Sequence, residues 1–190
     1  MTHIMVDLET LGTSDRAPVI QIGAVAFIWG DPDPQILGKF SAAIRLDSAL
    51  MHGKYDASTV EFWINQPDEA FQLAFAEQYT LPEALGHFDE WLDQFGQDLR
   101  VWGNGMLFDN AILRAAYNAC GRRVPWHYRD DRDVRTLVAL GKDAGITTSH
   151  IQPPAGFIKH DGVSDAHFQV LYCNEIWRTI VRPRWREPSE

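Results

Sequence analysis

The chain has 190 residues and a mass of 21.6 kDa, with 45% hydrophobic and 23% charged residues. That balance excludes a disordered or collagen-like chain, and no apolar run approaches the roughly 20 residues that cross a bilayer. The formal charge of −9 argues against a broad phosphate-binding surface, yet it is uneven: residues 1–99 carry 16 acids and 4 bases, residues 100–190 carry 10 acids and 13 bases.

Ile4-Met5-Val6 opens a short apolar strand. The run from Pro18 to Phe27 predicts a second, and the intervening loop, Leu11 to Ala17, is short enough for a hairpin. A turn rich in Asp and Pro at 31–34 leads to a third strand around Ile36 to Ile44. Three strands with short links predict an antiparallel meander. Ser58 to Gln66 and Asp68 to Glu77 then read as short helices and Leu81 to Phe95 as a longer one. In the longer helix Leu85, Phe88, Trp91, Leu92 and Phe95 recur at three- and four-residue spacings, the pattern of a buried stripe.

Val101-Trp102 reads as a brief strand running into Gly103-Asn104-Gly105, and Phe108 to Cys120 as a helix closed by Gly121. Trp126 to Tyr128 is the expected fifth strand, followed by a helix from Val134 to Lys142, a Gly/Pro-containing loop from Gly145 to Lys159, and a last helix from Asp165 to about Val181. No repeat or linker divides the chain, so residues 1–182 are expected to form one domain and 183–190 a flexible tail. The expected class is α/β, a mixed central sheet of five strands with helices on both faces. The N-terminus lacks the basic and apolar regions of a signal peptide, and Cys120 and Cys173 form no C-x-x-C, so a reducing cytoplasmic setting is expected.

Three short strings carry chemistry. Asp7-Leu8-Glu9-Thr10 ends the first strand, where residues two apart share a face and lie roughly 7 Å apart at the backbone. Paired carboxylates there repel unless a cation lies between them, and hard oxygen donors suit Mg²⁺ or Mn²⁺. Asp109 enters the first turn of a helix after a glycine-rich exit from a strand; alone it also fits an acid placed by the helix dipole. His160 and Asp165 flank the start of the last helix, and histidine is the side chain suited to take a proton near neutral pH. Alone, His160 also fits an exposed loop histidine.

In this order the strings resemble the DEDDh family of 3′→5′ exonucleases, within the ribonuclease H-like superfamily. The first motif, D-x-E-T, is met by Asp7, Glu9 and Thr10; the second by Asp109, followed by Asn110; the third, H-x-x-x-x-D-A, by His160, Asp165 and Ala166. The string Asp133-Val134-Arg135-Thr136 and the Phe62-Trp63 pair resemble the short exoribonuclease-like branch found in phages and bacteria. Gly162 stands where many relatives have alanine, which is expected to loosen the His160 loop.

The resemblance implies two divalent metal ions, Mg²⁺ or Mn²⁺, bridged by Asp7. Glu9 and Asp165 complete one shell and Asp109 holds the second ion, with His160 as general base. Activity is then expected to rise with pH as the histidine loses its proton. The resemblance also implies that Thr10, Leu11 and Gly12 contact the terminal sugar and base. Trp63 is expected either to stack a base or to sit in the core, and Arg135 and Asn110 are further candidate substrate contacts. The implied partner is the 3′ end of single-stranded RNA or DNA, with no membrane, and a homodimer as a possible assembly. The rival from another class is a non-catalytic or proofreading-type nucleic-acid-binding module on the same fold. Loss of one of the five motif residues would mark the non-catalytic form, and all five are present, whereas a proofreading subunit would keep the same chemistry.

Overall fold

A computed structural model of the chain describes residues 1–76 and 78–180; the expected tail at 183–190 lies outside the described residues. Strand β1, Thr2–Thr10, is buried along most of its length because it lies in the middle of a five-stranded sheet. It pairs antiparallel with β2, Val19–Ile28, which pairs antiparallel with β3, Gln35–Ala43. On its other side β1 runs parallel to β4, Leu99–Gly103, and β4 to β5, Asp131–Asp133, giving the order β3-β2-β1-β4-β5. The central strands are apolar on both faces, whereas edge strand β3 alternates in exposure along most of its length. This mixed five-stranded sheet flanked by helices is the α/β class expected from the sequence.

The alternation of β1 divides the core. Ile4, Val6 and Leu8 pack with the helices α4 (Leu81–Asp93) and α5 (Asp109–Ala119). Met5, Val25 and Phe27 pack against α6 (Val134–Asp143) and α7 (Gly162–Ile180) on the other face. Asp7 and Glu9 share the parity of Met5 and so face α7. The predicted stripe of α4 holds: Leu85, Phe88 and Leu92 are buried, and Trp91 and Phe95 pack against the same core. A capping box between Thr80 and Glu83 fixes where that helix begins. Three shorter helices, α1 (Leu46–His52), α2 (Ala57–Ile64) and α3 (Asp68–Ala74), link β3 to α4. Among the described residues no helix is long and apolar enough to cross a membrane.

Two expectations change. The fifth strand is Asp131–Asp133, not Trp126 to Tyr128. Trp126 is drawn into the core, where its indole N–H donates to Asp131 Oδ1 at 2.8 Å and Arg114 lies over its ring. The backbone that pairs with Val101 to Gly103 comes three residues later than the last residue of the expected strand. The apolar-aromatic signal marked a buried anchor rather than a strand.

Gly162 is the second change, because it tightens the start of α7 instead of loosening it. A Cβ on Gly162 would lie 2.8 Å from the Asp7 carbonyl oxygen, and one on Gly23 would lie 2.0 Å from the Gly162 carbonyl carbon. The two glycines let the helix N-terminus press against β1 and β2. Gly23→Ala is expected to destabilise the fold by about 1–3 kcal/mol or more, since backbone on both sides must move. Urea denaturation would show a lower midpoint, and an unchanged midpoint would refute the close packing.

Candidate active site

The site forms where β4 stops short. β4 ends at Gly103 opposite Val6, while β1 continues to Thr10. The Leu8 N–H, beyond the end of that pairing, donates to Asp109 Oδ1 at 3.1 Å from the first turn of α5. Asp109 thus reaches β1 beside Asp7 and Glu9. From the other face, α7 brings Asp165 in its first turn and Gln169 one turn later, so both lie on one side of the helix. Gln169 Nε2 donates to Asp7 Oδ1 at 2.6 Å. The start of α7 is held by Asp161, which accepts from the backbone N–H and hydroxyl of Ser164 and from Gln21 Nε2. Gln21 Oε1 in turn accepts from the Gly162 N–H at 2.8 Å.

His160 sits just before this clamp in the left-handed region, at φ 65°. Its backbone N–H donates to Asp165 Oδ2 at 2.8 Å, which ties the histidine to the acid. The Phe62 ring meets the imidazole edge to face at 5.0 Å. Ligand atoms of Glu9, His160 and Asp165 all lie within 4.8 Å of one another, close enough to share a cation. A cleft of about 340 Å³ opens beside them, lined in part by Glu9, Thr10, Thr13, Phe62, Phe108 and His160. A larger hollow of about 470 Å³ lies among Asp15, Arg16, His52 and the alanine face of α5, but the acid cluster does not line it.

Electrostatics shows what this arrangement suits. Burial, then the charges of Asp109, Glu9 and Asp165, raises the Asp7 carboxyl well above its usual value. Burial and then Asp165 push Glu9 up to about 8. Burial pushes Asp109 up to about 7, against the Leu8 hydrogen bond and the positive charge of Arg135. Burial also raises Asp165 and lowers His160, although the Asp165 charge opposes the histidine shift. Asp109 Oδ2 is buried with no hydrogen-bond partner among the described residues. An orphaned carboxylate oxygen inside a cluster of acids that resist ionisation is the donor set that a hard divalent cation satisfies.

A measurable linkage follows. Between the unfolded carboxylate value and the raised folded values, the native state holds protons that the unfolded chain has released. Raising the pH strips them and favours unfolding. Without metal, stability conferred by the protonated cluster is therefore expected to fall from about pH 4.5 towards pH 8, the span of the Glu9 shift. Thermal melts in EDTA should show a lower Tm at pH 8 than at pH 5.5. Added Mn²⁺ should raise Tm more at the higher pH. A Tm in EDTA that is flat or rising over this range would refute the raised carboxyl values.

The remaining predicted contacts divide. Thr10 and Gly12 line the cleft, with the Thr10 hydroxyl donating to the Gly12 carbonyl at 2.7 Å. Leu11 is buried beneath the loop. Trp63 does not present a stacking face: it is 2% exposed, and its indole N–H donates to the Thr10 carbonyl at 2.9 Å. Its neighbour Phe62, 40% exposed, supplies the open aromatic surface. Asn110 is turned away from the cleft, donating to the Val101 carbonyl and to Asp131. The core placement of Trp63 and the departure of Asn110 share a cause: adjacent helical residues point about 100° apart, so each lies on a different side of its helix from its neighbour. The sequence reading overlooked Gln169 and Asp161. The four-residue step from Asp165 to Gln169 was the available signal for the first, and the spacing of Asp161 to Ser164 before a helix for the second.

The chain is similar to known nucleases. The family model described as the Rv2179c-like 3′-5′ exoribonuclease domain matches residues 2–177. The exodeoxyribonuclease of Enterobacteria phage T4 is 26% identical over 200 residues, spanning 90% of this chain and 87% of its own length. Among solved structures, the nuclease domain of 3′hExo, a DEDDh family member bound to rAMP, superposes with a TM-score of 0.65 at 11% identity, covering 94% of this chain and 92% of that one. Cell-death related nuclease 4 gives a TM-score of 0.63 at 16% identity over 96% of this chain and 64% of its own. At such identities these two structures show the fold alone.

Proposed function

The chain belongs to the Rv2179c-like 3′-5′ exoribonuclease domain family, and from that premise we propose that it releases nucleoside 5′-monophosphates from the 3′ end of single-stranded RNA or DNA. The observation that carries this reading is the convergence of Asp7, Glu9, Asp109 and Asp165 in one cluster, beside a cleft that Glu9 and His160 line. Asp7, Glu9, Asp109 and Asp165 would hold two divalent cations, with the partnerless Asp109 Oδ2 among the donor atoms. When bound, such cations stabilise charge on the phosphoryl oxygens and acidify water.

The protein's own groups do the rest. The cleft beside Glu9 takes the terminal nucleotide, with Phe62 offering a face on which any base can stack. Thr10 and Gly12 border the sugar. His160, kept neutral by burial, accepts the proton of the attacking water at an imidazole nitrogen. Gln169 holds Asp7 in place through its amide N–H.

The family description names RNA and the phage relative is named for DNA, so the assay carries both. End-labelled single-stranded RNA and DNA are incubated with Mg²⁺ or Mn²⁺, wild type against Asp7→Asn. The expected result is stepwise shortening from the 3′ end by the wild type alone. Internal cuts, or equal shortening by the variant, would overturn the proposal.

A further inference from the structure

β2 is apolar from Val19 to Ile28 apart from one side chain, Gln21, which is 2% exposed. A buried amide in an apolar strand costs stability unless its polar atoms find partners, and those of Gln21 do. Its Oε1 accepts from the Gly162 N–H at 2.8 Å, and its Nε2 donates to Asp161 Oδ1 at 3.0 Å. Asp161 is buried as well, and its other oxygen accepts from the Ser164 N–H and hydroxyl. An amide can accept from a backbone N–H and donate to a carboxylate from one rigid plane. Methionine in its place would make neither bond, and glutamate would set like charge against Asp161.

The register gives this clamp its place. Gln21 lies directly across from Glu9, and Gly23 directly across from Asp7. Cross-strand partners share a face, so Gln21 projects beside Glu9 on the side of α7. Both residues of β2 then meet the same segment: Gly23 packs against the Gly162 backbone, and Gln21 bonds to Asp161 and Gly162. His160 comes immediately before that segment, at φ 65°. A non-glycine residue keeps such a conformation where its surroundings hold it there. Here the His160 N–H is tied to Asp165, and the next two residues are tied to Gln21. We infer that Gln21 is a positioning residue for His160: through Asp161 and Gly162 it locks the turn that presents the imidazole to the cleft beside Glu9. This rests on the exonuclease reading above and adds to it a residue whose amide is fully engaged within the protein.

Gln21→Met nearly preserves volume and removes both hydrogen bonds. At saturating Mn²⁺ it is expected to lower kcat by about 10–100-fold, the scale of a misplacement of about 1 Å. KM should change by less than about twofold, because the loss falls on the chemical step. Added Mn²⁺ should still raise Tm, since α7 stays seated at Gly23. In a His160→Gln background the same substitution should cost less than about threefold, because the two residues act as a unit. An unchanged kcat, a loss confined to KM, or an equal loss in both backgrounds would overturn the assignment. If Gln21→Met does not fold, Asp161→Asn carries the same test: it keeps the shape and sets an amide N–H against Gln21 or Ser164. If wild type degrades no substrate, the exonuclease reading is what has failed, and NMR decides the positioning separately. His160 ring resonances that move in Gln21→Met while those of His87 stay would support it, and unmoved His160 resonances would refute it.

Discussion

Asp7→Asn is expected to abolish hydrolysis while leaving the fold intact. Burial and the charges of Asp109, Glu9 and Asp165 all act on Asp7, raising its carboxyl well above the usual value. Asparagine has nearly the same shape and keeps an oxygen to accept from Gln169 Nε2, so packing is preserved. What it removes is the charge needed to hold a divalent cation. Several kcal/mol of transition-state stabilisation go with it, a loss of about 10³-fold or more. The same change removes a buried charge that its neighbours repel, so the metal-free variant should melt no lower than the metal-free wild type at pH 8. Single-turnover hydrolysis read together with thermal melts in EDTA checks both statements. Activity within tenfold of wild type would exclude Asp7 from the metal site.

His160→Gln is the second large effect, expected to lower kcat by about 10²–10⁴-fold, the range of general-base catalysis. Its backbone N–H to Asp165 does not depend on the side chain, so the acid keeps its partner. Partial burial of the ring, helped by the charge of Lys159 and opposed by that of Asp165, lowers the imidazole pKa, and the base is therefore neutral over more of the acidic range. Wild-type kcat should rise with pH across the histidine's titration and level off near neutrality. In His160→Gln that rise should disappear while metal-dependent stabilisation remains. A variant that retains full kcat, or one that no longer gains Tm from Mn²⁺, would place His160 outside the base role.

The elements of the fold were legible wherever one periodicity dominated. The apolar runs of β1 and β2 and the stripe of α4 are such cases, since burial against a sheet demands those patterns. Reading failed where a side chain and its backbone serve different ends. Trp126 looks like strand and serves as a core anchor, whereas the charged run Asp131–Asp133 looks like loop and forms β5. Its charges are tolerated because Asp131 accepts from Arg114, Asn110 and Trp126. Local polarity predicted solvent, and tertiary pairing supplied partners instead.

The sequence by itself determined the chemistry on offer: which acids, which histidine and which order along the chain, because motif identity is a property of residue type and spacing. Only the tertiary structure decided which of those groups meet. Asp7 and Asp165 are 158 positions apart in sequence. They converge because Gly23 and Gly162 allow α7 to seat directly on β1 and β2. Tertiary packing likewise turned Phe62 to the cleft and Trp63 to the core, and turned Asn110 towards β5. Orientation within a helix is set by which face finds apolar cover, and that cover comes from residues distant in the chain.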